Sequence, residues 1–178
     1  MTRKEILLLI ARLEEELANI GGLVEELQRK GYWPRTGNTK GSGEPIPIID
    51  DSFTLRALGS ILHDFYVAAE NMFESIARDL DEKLPEGANW HQALLRQMTI
   101  PISQVRPAVL REYTATQLDE YRAFRHVFRN VYGFNLDAGR LKYLLLKLPQ
   151  VVAALSQDIG KFIENLRANL PEGEEGVF

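Results

Sequence analysis

The sequence predicts an all-α protein, an antiparallel up-and-down bundle of four main helices with one or two short extra ones. Apolar residues recur at three- and four-residue spacings through every long segment, no run alternates with the two-residue period of a strand, and the breaks fall on Gly and Pro. Long amphipathic segments joined by short connections bury their apolar stripes most simply against antiparallel neighbours.

Residues 3–30 place Ile6, Leu9, Ile10, Leu13, Leu17, Ile20, Val24 and Leu27 on one face and Glu14, Glu15, Glu16, Glu25 and Glu26 on the other, a solvated acidic face. From about 31 to 51 the chain turns to Gly, Pro, Ser and Thr and reads as a loop or flexible insertion. Its GNTKGSGE lacks the Gly-Lys-Ser/Thr spacing of a phosphate-cradling loop. Asp51 or Ser52 can cap a second long helix, Phe53 to about Lys83, which contains His63 as a packed or surface residue.

After LPEGAN, Asn89 can cap a short helix, Trp90 to Met98, with Trp90 in the core and His91 seating the turn. Arg106-Pro107 is read as the start of another helix, and Thr114 with Gln117 as a capping box that restarts it. Gly133 is its natural stop. Asp137 opens AGRLKYLLLKL, and Pro149 is expected to begin the last helix, with Val152, Leu155, Ile159, Phe162, Ile163 and Leu166 inward. Residues 1–170 are expected to form one domain and 171–178 a disordered tail.

A chain of 178 residues with 45% hydrophobic and 26% charged side chains can bury one sizeable core. A net charge of −4 argues against coating nucleic acid non-specifically, so any RNA contact has to be local. There is no cysteine, hence no disulfide, thiol nucleophile or thiolate metal site, which fits a cytoplasmic home. The apolar run ILLLIARL is too short to span a bilayer, so no membrane association is expected.

The most informative stretch is Leu118–Leu136, LDEYRAFRHVFRNVYGFNL. At about 100° per residue, Arg122, Arg125, His126, Arg129 and Asn130 share one sector of a helix. Tyr121, Phe124, Phe128 and Val131 fill the opposite one, with Tyr132 on the seam. Three arginines and a histidine so close would repel one another, so either an anion or acidic neighbours such as Asp119, Glu120 and Asp137 must compensate them.

Together, LHDFYVAAENMFESIA, WHQALLRQM, RPAVL and YRAFRHVFRNVYGFNLD resemble the HepT-like branch of the HEPN superfamily over roughly Phe53 to Leu166. These are small helical proteins, many of them ribonuclease toxins encoded beside a nucleotidyltransferase antitoxin. The resemblance implies a four-helix bundle that dimerises so that both copies of the catalytic helix line one cleft. It also implies metal-independent RNA cleavage that needs no cofactor.

The family motif is an arginine, four to six residues, a histidine and, one residue on, commonly a tyrosine. Arg125 and Tyr132 match it, but Asn130 stands where the histidine belongs. An amide cannot move a proton near neutral pH as imidazole does, and losing a general acid or base typically removes about 10²–10⁴-fold of rate. The resemblance therefore implies Arg125 as charge stabiliser, with Asn130 and Tyr132 positioning the RNA and Arg122 and Arg129 holding phosphate. His126 either substitutes as acid and base or packs or binds RNA passively. Tyr132 is the residue that a nucleotidyltransferase partner would adenylylate. The other reading is a catalytically degenerate module that binds nucleotide, RNA or a protein without cutting.

Overall fold

A computed structural model describes residues 1–34, 46–130 and 136–171, with Asn130 described in its backbone alone. Five helices run through the described residues: α1 (Arg3–Arg29), α2 (Ser52–Asp79), α3 (Trp90–Thr99), α4 (Glu112–Asn130) and α5 (Ala138–Ala168). No strand occurs among them, only an isolated antiparallel bridge between Ile102 and Arg106. The all-α bundle follows from the sequence pattern. Every helix carries an apolar stripe, and the stripes meet in one core containing Leu9, Leu13, Leu62, Phe73, Leu118 and Leu155.

Side-chain caps fix three of the starts. Thr2 and Glu5 form a reciprocal capping box at α1, while Asp51 Oδ1 accepts from the N–H groups of Phe53 and Thr54 at 2.9 and 2.8 Å. Asp137 caps α5 through Gly139 N–H at 2.8 Å. Asn89 stands at the start of α3, as expected, yet its side chain makes no capping bond.

Helix α2 packs against each of the other four helices and is the axis of the bundle. It runs antiparallel to α4: Glu70 meets Arg125 towards one end and His63 meets Phe128 towards the other. Gly59 makes that approach possible, because a Cβ there would lie 2.8 Å from Cε2 of Phe128. Tyr121 ties α4 to α5 by donating its buried hydroxyl to the carbonyl of Leu144 at 2.8 Å, and it meets Phe65 of α2 edge-on.

The structure corrects several sequence expectations. Helix α2 ends at Asp79, short of Lys83. Asp81 is drawn instead to Arg106, whose side chain is fully buried and whose five N–H donors each find an acceptor. These are both oxygens of Asp81, at 2.6 and 2.7 Å, and the carbonyls of Gln97, Ile100 and Pro107. Arg106-Pro107 therefore starts no helix: its guanidinium stitches the irregular link to the end of α3 through the carbonyls of Gln97, Ile100 and Pro107.

Thr114 forms no capping box either. It lies in the first turn of α4, fully buried, with no hydrogen-bond partner for Oγ1 among the described residues. Pro149 begins nothing, since α5 runs straight through it. An interior proline costs on the order of 3 kcal/mol. Here Leu141, Leu144, Leu145 and Leu148 on one side, and Val151, Leu155 and Ile159 on the other, stay on one buried stripe. Burying several such side chains, each contributing about 1.5–3 kcal/mol, outweighs one lost hydrogen bond.

Within the 31–51 insertion, Pro34 and Ile46 are buried and Trp33 packs against the core, while residues 35–45 lie outside the described residues. So do Gly133 and residues 172–178, the positions of the expected helix stop and of the tail.

Candidate functional site

Two ladders of side chains face each other along the α2–α4 contact. On α2, His63, Tyr66 and Glu70 follow three- and four-residue steps, and on α4 Arg122, Arg125 and Arg129 do the same. The steps keep each set on one side of its helix, and the antiparallel packing pairs them.

At the centre, Glu70 is 3% exposed and so must be paired. Its Oε2 lies 3.1 Å from Nη2 of Arg125, and its Oε1 is 2.6 Å from Nδ1 of His91 on α3. Nη1 of Arg125 lies 3.4 and 3.3 Å from Nδ1 and Nε2 of His91. The lone-pair directions of the two ring nitrogens diverge, so one donor cannot align with both; this is a guanidinium–ring contact rather than a directed hydrogen bond. Trp90 lies against the same imidazole with ring centroids 3.7 Å apart. The Arg125 side chain is 15% exposed, and its buried Nε has no partner among the described residues.

Arg122 is neutralised locally: its Nε donates to Asp119 Oδ1 at 2.6 Å, and this bond holds the guanidinium still more firmly protonated. Glu120 serves elsewhere, taking Lys147 at 2.5 Å and Arg140 at 3.2 Å on α5, and those cations hold its carboxyl low against the effect of burial. Acidic neighbours thus compensate Arg122 and Arg125 within the chain. An anion is not needed to explain them, and Glu70 was not among the acids the sequence suggested.

Arg129 and His126 lie exposed on the last turns of α4. His63 has a lowered pKa, because burial disfavours its charged form; Asp64 opposes that, and Arg125 and Arg129 add to it. Its ring lies 5.4 Å from that of Phe128, with Nδ1 buried and unpartnered among the described residues, the situation of a packed histidine. Burial, with Glu70 nearby, raises the pKa of Tyr66 far above the ordinary phenol range.

Of the residues singled out in the sequence, Arg122, Arg125 and Arg129 share one face of α4, and His126 lies on its exposed flank. The side chain of Asn130 and all of Tyr132 fall outside the described residues. The sequence reading missed Glu70 and His91 as partners of Arg125. One signal was present: Glu70 interrupts the apolar stripe of Tyr66, Ala69, Phe73, Ile76 and Ala77, and a carboxylate on a buried stripe demands a cation.

The family model described as HepT-like protein matches residues 57–166, from the second turn of α2 to near the end of α5. The chain belongs to the HepT-like family of the HEPN superfamily. Comparisons with curated proteins and with solved structures each gave no significant match. No helix of this HepT-like protein is long and apolar enough, among the described residues, to cross a membrane, and no cluster there of three or more His, Cys, Asp or Glu could hold a metal ion.

Proposed function

We propose that this HepT-like protein is a toxin-type endoribonuclease that cleaves RNA without metal and leaves a 2′,3′-cyclic phosphate. The cleft would lie in the cytoplasmic homodimer, between the α4 helices of two copies, and a nucleotidyltransferase antitoxin would neutralise it. The observation that carries this reading is the bracing of Arg125: a permanently charged fork, fixed by a buried carboxylate and still partly exposed, between Arg122 and Arg129 one turn away on either side. A donor held in place before reaction needs no reorganisation when charge develops on phosphorus, which is how such groups lower a barrier. In this reading Arg125 stabilises that charge, Arg122 and Arg129 hold the RNA backbone, His126 carries protons, and Asn130 and Tyr132 position the substrate. Adenylylation of Tyr132 would place a charged group where RNA has to lie.

A second reading has specific support. Glu70 and Asp119 already neutralise Arg125 and Arg122, and Asn130 cannot shuttle protons, as a degenerate module that only binds nucleotide, RNA or a protein would have it. The assay is cleavage of total RNA by the purified full chain in EDTA. Cutting that disappears in Arg125→Ala supports the enzyme. Binding without cutting supports the module, and undiminished cutting by Arg125→Ala removes Arg125 from the site.

A further inference from the structure

We infer that His91, oriented by Glu70, supplies the proton-transfer imidazole that the α4 motif lacks at Asn130. The inference rests on the ribonuclease reading and replaces one part of it: His91, not His126, carries the proton, and His126 binds RNA passively. Three helices bring Glu70, His91 and Arg125 together from positions far apart in the chain, His91 lying 21 residues from Glu70 and 34 from Arg125. The bond of 2.6 Å between Nδ1 and Glu70 Oε1 fixes the ring, and since an ionised carboxylate only accepts, Nδ1 keeps its proton. Nε2 is then the nitrogen that gains and loses one, and it lies beside the guanidinium that would hold the phosphate. The side chain of His91 is 24% exposed, and its ring is held between Trp90 and Glu70.

In the reaction, the proton of the ribose 2′-hydroxyl passes to Nε2, the 2′-oxygen closes on phosphorus and the P–O5′ bond breaks. The leaving 5′-oxygen takes a proton from water, and the hydroxide so formed recovers the proton from His91. Arg125 faces the charge on the non-bridging oxygens throughout. Glu70 is a positioning residue: through its bond to Nδ1 it sets the tautomer and the orientation of the ring. Tyr66 and Arg122 stand within electrostatic reach of Glu70.

The test is single-turnover RNA cleavage by the full chain as a function of pH, with circular dichroism to verify folding. The wild-type rate should climb with pH through the imidazole range, and His91→Gln should lose that limb and about 10²–10⁴-fold of rate. Glu70→Gln, which keeps an acceptor but can also turn its amide nitrogen to the ring, should lower the single-turnover rate of a folded protein. Imidazole added to folded His91→Ala should restore cleavage. His91→Gln cutting within tenfold of wild type, or a folded, inactive His91→Ala that imidazole does not rescue, would overturn the inference and leave the ribonuclease reading standing. A wild-type protein that cuts no RNA overturns both.

Discussion

Asp81 and Arg106 form a closed fork, Nε to Oδ1 at 2.6 Å and Nη2 to Oδ2 at 2.7 Å, with both side chains buried. Gln97 adds a third member, donating to Asp81 Oδ2 at 2.6 Å. The cluster joins the end of α2, the last turn of α3 and the link to α4, and so sets where α3 lies relative to the helices it packs against. Breaking such a pair from one side strands a buried charge and costs about 3–5 kcal/mol, whereas replacing both partners with apolar residues costs much less. Arg106→Ala should therefore lower the stability measured by urea unfolding by about that amount, and Asp81→Leu with Arg106→Met by clearly less. Equal losses would mean the fork is incidental.

His63 makes stability depend on pH in a definite direction. Its folded pKa lies below the ordinary 6.5 because burial and the arginines disfavour the charged ring. The unfolded chain therefore takes up the proton first as pH falls. The contribution is complete above about 6.5 and is lost as pH drops from there through the folded value. Unfolding midpoints between pH 7.5 and 5 should fall more steeply for wild type than for His63→Gln. Parallel curves would exclude His63 as the source.

Pro149 should be a stabilising target. Replacement by alanine restores a backbone donor in the middle of α5 and removes the clash with the preceding turn, so Pro149→Ala should gain up to about 3 kcal/mol, read as a raised thermal midpoint. A lower midpoint would mean that the core is shaped around the ring.

Asn130→His restores the motif histidine. If proton transfer at that position is what the site lacks, cleavage should rise by about 10²-fold or more over wild type in the same EDTA assay. An unchanged rate would leave the chemistry to His91 or to no residue of the site.

Much of the fold was legible because local spacing decides it: the stripes of α1, α2, α4 and α5 lie in the three- and four-residue periods, and Asp51 and Asp137 cap as their side chains dictate. Where a local signal met a tertiary one, the tertiary one won. Pro149 marks a start on propensity alone, yet a leucine stripe on both sides holds α5 continuous. Arg106-Pro107 resembles a first turn, yet the buried guanidinium is spent on Asp81 and on the carbonyls of Gln97, Ile100 and Pro107. The site divides the same way. The arginine face of α4 and the Asp119 partner of Arg122 are neighbours in sequence and could be read there. Glu70 and His91 meet Arg125 only because three helices converge, and no spacing encodes that.

Gly59 of α2 lies against α4, with the ring of Phe128 occupying the room that any side chain would need. One methyl group at that point would act as a shim, levering apart the ends of the two helices near Arg129 and Asn130. The angle at which this chain presents its last basic turn is thus set by the smallest residue in the bundle, at a position that carries no charge of its own.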